Sequence, residues 1–283
     1  MKKLNLKTLG LGLMVLGFAQ LNAQTFPLNP RGEHIQYKKD AKGNRILDYS
    51  YCGYKNSNVE IPNVPVMVYV SPEEGDNSAQ IQRAINYVAS LKPDANGYRG
   101  AVLLEKGVYT LDHALRITTS GVVLRGADKV ETVLVKRGYD RGAVLYIEGQ
   151  NNYTVTDSLN VVSDYVPVNE TSLQVSSASA LKVGDRVMVY RPAEGPWIKS
   201  IKCDIFGGGI GALGWKRGDV DLNWDRTIEE IHGNLITLNA PLSMALDKSD
   251  AKSKVLLYTW SGRIADCGVE NLTMVSDYDK QYA

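Results

Sequence analysis

Cysteine is scarce, with Cys52, Cys203 and Cys267 the only three in 283 residues. Thiols spread so widely cannot form a paired disulfide framework, so the fold has to be held by a core. No Cys-x-x-Cys occurs, and His34, His113 and His232 have no short-range ligand partner, which argues against a structural zinc site. A surplus of one charge is also missing, because 32 Lys and Arg stand against 31 Asp and Glu. Binding to nucleic acid draws on excess cations to neutralise phosphate, so no nucleic-acid partner is expected. Gly-x-Ser-x-Gly, a Walker loop and a recognisable Ser-His-Asp set are all absent. Gly209, Gly211 and Gly214 spell Gly-x-Gly-x-x-Gly, but Trp215-Lys216-Arg217-Gly218 follows where a dinucleotide site needs a helix.

Long apolar runs are rare too. The main one, Leu9 to Leu21, follows Lys2, Lys3 and Lys7 and ends at Leu21-Asn22-Ala23-Gln24. It falls short of the ~20 apolar residues that cross a bilayer and is broken by glycines and Gln20, so it reads as a signal peptide over 1–23, cleaved near Ala23. No Cys follows it closely, so a lipid anchor is not expected. The mature chain is expected to be secreted or periplasmic, without a membrane anchor, and monomeric. At 44% apolar and 22% charged residues it can bury a core.

Residues 24–61 are polar and irregular and read as a leader that packs on the body through Tyr49, Tyr51 and Tyr54. Val64 to Val70 is β-branched and strand-like. Over 76–91 the period changes: Ile81, Ala84, Ile85, Val88 and Leu91 fall on one helical face, with Asp76 to Ser78 available as the N-cap. Short apolar runs then alternate with Gly and charged turns up to about 150. Val102, Val122 and Val144 lie 20 and 22 residues apart, and Leu115 and Val133 lie 18 apart. A period near 20 built of very short strands suits a parallel β-solenoid, in which each rung buries its inward side chains on the next. A β-sandwich or meander, the alternative, would show hairpin signals such as Asn-Gly between long alternating strands, and this region lacks them. A leading helix suits the solenoid as well, because it covers the open end of the first rung. The rhythm stops near Gly149 and returns near Lys254. Alternating segments at 183–192, 224–231 and 235–238, with a Gly233-Asn234 turn, predict an antiparallel β insertion over 151–254.

Gly75-Asp76-x-Ser78-x-x-Ile81-Gln82-x-Ala84-Ile85, followed by Gly100-Ala101-Val102-Leu103-Leu104-x-x-Gly107-x-Tyr109 and Gly121-Val122-Val123-Leu124-Arg125-Gly126, resembles the opening of the pectate-lyase superfamily of right-handed parallel β-helix proteins. Val183-Gly184-Asp185-x-Val187-x-Val189 with Trp224-Asp225-Arg226-Thr227-Ile228 resembles an insertion of secreted polysaccharide-degrading members from Bacteroidetes-type bacteria. The resemblance covers about residues 60 to 275. It implies an all-β fold, a right-handed parallel β-helix with an N-terminal capping helix and a small antiparallel insertion, acting on a polysaccharide. Because lyases, glycosidases and phage tail-spike proteins share that opening, the reaction stays open. The first expectation is β-elimination at a uronate: a cation neutralises the carboxylate, a base removes the C5 proton and the 4-linked oxygen leaves. Glycoside hydrolysis by a carboxylate pair and non-catalytic glycan binding or adhesion are the alternatives.

Rung-like sequence runs from Cys267 to Met274, so over 255–283 the β-helix is expected to resume and to continue beyond Ala283, making this an N-terminal fragment with catalytic residues further on. Within the chain, Asp277 and Asp279 sit at i and i+2, on one side of a strand, where they suit calcium or a shared proton, and Lys280 beside them could neutralise a uronate or act as base. These three are the catalytic candidates, and the two aspartates the metal candidates. Trp197, Lys199, Lys202, Trp215, Lys216, Arg217 and Trp224 form a second cluster, in which aromatic faces stack on sugar rings and cations pair with uronates. Ordinary packing of the tryptophans is the alternative there. Asp219, Asp221 and Asp225 could hold a cation beside it, and Asp204 completes the acidic candidates.

Overall fold

In the computed structural model of the chain, which describes residues 38–205, 209 and 211–277, the short apolar runs form a right-handed parallel β-helix. The signal-peptide reading of 1–23 lies outside the described residues. The first strands are β1 (Val66–Val70), β2 (Gly100–Leu104), β3 (Gly107–Leu111), β4 (Leu115–Ile117), β5 (Val122–Gly126), β6 (Thr132–Lys136) and β7 (Leu145–Ile147). An insertion follows, with β8 (Thr154–Asn160), β9 (Tyr165–Val166), β10 (Ser172–Gln174), β11 (Arg186–Arg191), β12 (Leu222–His232), β13 (Leu235–Leu238), β14 (Leu246–Asp247) and β15 (Lys254–Thr259). Then β16 (Gly268–Glu270) and β17 (Thr273–Ser276) rejoin the solenoid. Its ladders run β1-β2-β5-β16, β3-β6-β17 and β4-β7, and all are parallel.

The register corrects the expected pairings. Val102 stands beside Leu124, and Val122 beside Gly100. Leu115 pairs with Leu145, whereas Val133 pairs with Val108. The offset is therefore 22 residues between β2 and β5, 25 between β3 and β6 and 30 between β4 and β7. The turns set this spread: the corner from β6 to β7 is longer than the one from β3 to β4, and a parallel stack tolerates such excursions without losing its inward side chains.

Inward positions stack Val102, Leu104, Tyr109, Leu111, Leu115, Ile117, Val122, Leu124 and Leu134 into one core. Helix α1 (Ser78–Ser90) closes the first rung with Ile81, Ala84, Ile85 and Val88, each apolar burial of Val or Ile being worth about 1.5–3 kcal/mol. Its start is clamped by Asp76, whose Oδ1 accepts hydrogen bonds from Ser78 N (2.9 Å), Ser78 Oγ (2.5 Å) and Asp112 N (3.0 Å). Position 112 belongs to the turn after β3, so the cap ties helix to solenoid. On the outer face of the first ladder, Ala101 and Val123 meet Val64 and Tyr98.

The insertion is a closed body with its own core. Its main sheet has the order β10-β13-β12-β11-β15-β8, antiparallel throughout. An antiparallel bridge from Val161 to Val175, flanked by Val162 N to Gln174 O (2.9 Å) and Ser176 N to Asn160 O (2.8 Å), joins the last strand to the first. Closure into a barrel removes free edges, as an isolated antiparallel sheet requires. Leu173, Val187, Val189, Trp224, Ile228, Ile236, Leu238 and Val255 fill the interior. The expected hairpin is β12 to β13, turning at Gly233, whose φ of 62° lies in the left-handed region. Strand β15 pairs with β11 and β8, so parallel pairing resumes at Gly268 and not at 255.

In the leader, Tyr54 reaches Tyr98 at 2.7 Å between hydroxyls, while Tyr49 is 68% exposed. Polar contacts hold it to the barrel: Asn44 Oδ1 accepts from Tyr165 OH (2.8 Å) and Val168 N (2.9 Å), and Arg45 Nη2 donates to Asn169 O (2.5 Å).

Candidate functional site

Two of the three expected tryptophans come together. The short helix α2 (Gly195–Ser200) carries Trp197 and Lys199, and Trp197 stacks on Trp215 with ring centroids 6.3 Å apart and 28° between planes. Below them lies Arg191, 2% exposed, with its guanidinium 4.5 Å from the Trp197 ring and Nη2 4.0 Å from Asp250 Oδ2. Burial pushes the Arg191 pKa down, against the pull of Asp250 and Asp247. Trp215, Lys199, Lys202, Lys216 and Arg217 are exposed. Arg217 borders a groove of about 280 Å³ that also touches Glu194, Lys248, Asp250 and Lys252, and its Nη2 lies 3.3 Å from Glu194 Oε1.

Trp224 does not join this rim. It is 9% exposed inside the barrel, and its Nε1 donates to Ser243 Oγ at 2.8 Å, so it belongs to the core. Nor do the insertion aspartates gather around a cation. Asp221 accepts from Tyr190 OH (2.6 Å) and Ala193 N (2.7 Å), Asp219 accepts from Lys216 N (2.8 Å), and Asp225 faces Arg263 elsewhere. That bond to Asp221, with burial, pushes the Tyr190 hydroxyl up to about 12. Among the described residues no group of three or more His, Cys, Asp or Glu could hold a metal. The three cysteines are free thiols.

At the other end, Asp277 follows β17, is exposed, and has its backbone N–H on Lys136 O at 2.9 Å. Asp279 and Lys280 lie outside the described residues. The calcium reading, which rests on Asp279 as much as on Asp277, therefore lies outside the described residues.

A third place escaped sequence reasoning: the neck where the chain leaves the solenoid and returns. Gln150 N donates to Gly262 O (2.9 Å), and Gly262 N to Asn152 Oδ1 (2.8 Å). Gly262 is required there, since a Cβ would stand 2.4 Å from Gln150 O. Beside this crossing Arg263 packs on Trp260 (4.4 Å) and binds Asp225 Oδ2 (2.5 Å), while Tyr258 donates to Asp225 Oδ1 (2.7 Å) and accepts from Arg263 Nη2 (2.9 Å). Burial, then the Asp225 bond, pushes Tyr258 up to about 12. Trp260 donates to Gln150 O (2.6 Å) and meets the Tyr153 ring at 5.8 Å. A groove of about 610 Å³ opens here, lined by Thr118, Glu148, Gln150, Asn152, Ser261 and Arg263 among others. The only sequence signal was an aromatic beside a Ser-Gly turn; its partners are 110 positions away.

No helix among the described residues is long and apolar enough to cross a membrane. No protein-family model and no curated protein matches the chain. Three solved phage tailspikes are similar over part of it. They are the Gp54 tailspike of Acinetobacter baumannii bacteriophage AP22, in complex with A. baumannii capsular saccharide (13% identity, TM-score 0.40, 71% of this chain), the gp61 tailspike of Pseudomonas phage phi297 (16%, 0.36, 70%) and the gp49 tailspike of Pseudomonas phage LKA1 (16%, 0.38, 71%). This chain spans 27% of the length of each.

Proposed function

We propose that the chain is a secreted carbohydrate-active β-helix protein that binds an acidic polysaccharide through the Trp197–Trp215 rim of its barrel. The observation that carries this is the stacked indole pair with Trp215 39% exposed, with Lys199 exposed on α2 and Lys216 and Arg217 exposed on the loop after Trp215. An indole face takes the apolar face of a pyranose, and an exposed guanidinium takes its carboxylate in a bidentate pair. Arg191 supports the arrangement from beneath, as a cation on the Trp197 face.

Of the chemistries expected, β-elimination fits this rim better than hydrolysis. Exposed Lys199 and Lys216, with an exposed Arg217 that is shared with Glu194, can neutralise a uronate, whereas the nearby Asp219 and Asp221 are engaged by Lys216 N, Tyr190 OH and Ala193 N. Calcium, expected at Asp277 and Asp279, takes no step in this reading. The test is retention of the protein in gels containing polygalacturonate, alginate or hyaluronan. Trp215→Ala and Arg217→Ala are each expected to weaken retention about 5- to 10-fold, the loss of one stacking or charge-assisted contact. Indifference to all three polymers, or unchanged retention in both variants, would overturn the reading. An ultraviolet-absorbing unsaturated product marks elimination, new reducing ends without it mark hydrolysis, and retention with neither marks an adhesion module.

A further inference from the structure

We infer that the neck groove is a second saccharide site, selective for a neutral, hydroxyl-rich pyranose residue. The inference rests on the reading of the chain as glycan-binding, but it uses a different part of the molecule and different residues.

Charge decides the class of ligand. The groove lining holds one carboxylate, Glu148, and one guanidinium, Arg263. Both are already partnered, Glu148 by Arg116 and Arg263 by Asp225. An anionic residue would gain little from Arg263 and would be repelled by Glu148, in contrast to the cation-rich rim. The rest of the polar lining is neutral: hydroxyls of Thr118 and Ser261, amides of Gln150 and Asn152. Such groups both donate and accept, which matches vicinal sugar hydroxyls and not a carboxylate.

Shape agrees. Trp260 lines an adjoining groove of about 260 Å³ that shares Gly149, Gln150, Gly262, Arg263 and Ile264 with this trough; its ring carries Arg263, its N–H is bound to Gln150 O, and Tyr153, 47% exposed, packs against it at 5.8 Å. An aromatic flank next to a polar trough complements a pyranose, whose C–H face is apolar and whose rim is hydroxylated. At about 610 Å³ the groove falls within the ~300–1,000 Å³ range of small-molecule sites. A backbone bond from Gln150 N to Gly262 O and a bond from Gly262 N to the Asn152 side chain at Oδ1 tie the two walls together, so little ordering remains to oppose binding.

The experiment is calorimetric and ligand-observed NMR titration of the whole chain with uncharged tetrasaccharides of the gluco, manno, galacto and xylo series, and with tetragalacturonate. At least one neutral tetrasaccharide is expected to bind. Tyr153→Ala and Gln150→Ala, both at exposed positions, should each weaken it about 5-fold or more, the scale of one contact of roughly 1 kcal/mol. Trp215→Ala should weaken uronate retention about 5- to 10-fold without moving the neutral isotherm. Absence of binding by all four neutral series overturns the inference, as does binding that both neck variants leave intact. Neutral binding lost only in Trp215→Ala would transfer the site to the rim. The rim reading fails separately, on the uronate polymers, so the two outcomes remain distinguishable.

Discussion

Trp224 and Trp215 show how one side-chain type takes opposite roles. Trp224 faces the barrel interior with its N–H on Ser243, so Trp224→Ala is expected to cost about 3–5 kcal/mol in urea unfolding. Trp215, exposed on a loop, should cost within about 0.5 kcal/mol on the same substitution. The sequence grouped the two tryptophans in one cluster; the structure parts them, because Trp224 and Ile228 share the buried face of a strand by period two, whereas Trp215 lies in no strand. Tyr109 is a sharper case. Its ring is fully buried and its hydroxyl lies 2.7 Å from Val70 O and 2.9 Å from Glu105 O, tying β3 to the end of β1 and the turn before it. Tyr109→Phe leaves a buried carbonyl underpartnered and is expected to lower stability by about 1–2 kcal/mol, read as a shifted denaturant midpoint with unchanged slope.

At the scale of the element, the cap of α1 carries a pH dependence. Burial raises the Asp76 carboxyl, but hydrogen bonds from Asp112 N, Ser78 Oγ and Ser78 N outweigh it and hold the pKa below its ordinary 3.8. A carboxyl lowered in the folded state stabilises above its unfolded pKa, and that contribution is lost as pH falls from the unfolded value through the native one. Stability toward urea should therefore fall as pH drops below about 4, and Asp76→Asn should be less stable at neutral pH with a flatter acid limb. An unchanged slope would exclude Asp76 as a source of the dependence. The helix itself was plain in the sequence, because Ile81, Ala84, Ile85 and Val88 repeat at three and four and Asp76 and Ser78 precede them. The ladders were legible only as a period. Register depends on corner lengths, and the long β6–β7 corner displaced the apparent partners of Leu115 and Val144. Barrel closure left no local signal, since Val161 and Val175 meet through the geometry of six strands.

The described residues hold two large cores, one drawn from the solenoid and α1, the other wholly from the barrel, beside the small cluster of Val64, Tyr98, Ala101 and Val123, and the two large ones meet at the neck and along the leader. Gly262→Ala tests their coupling. The added methyl would press on Gln150 O and Asn152 Oδ1, so the crossing segments must part, at a cost of about 1–3 kcal/mol. Calorimetry is expected to show the barrel and solenoid transitions further apart than in the unaltered protein, with neutral-sugar binding weakened; coincident, unshifted transitions would refute a structural role for the crossing. The same neck makes the barrel a parenthesis in the chain. Asn152 and Gly262, 110 positions apart, are joined by a single hydrogen bond, so the detour returns to its point of departure. Loop-closure cost grows only by about 0.6 kcal/mol per doubling of length, so the solenoid is nearly indifferent to what the parenthesis contains. A two-residue turn between Gln150 and Gly262 could replace it, or a foreign domain with neighbouring ends could be written into it, leaving the rungs on either side to stack as before.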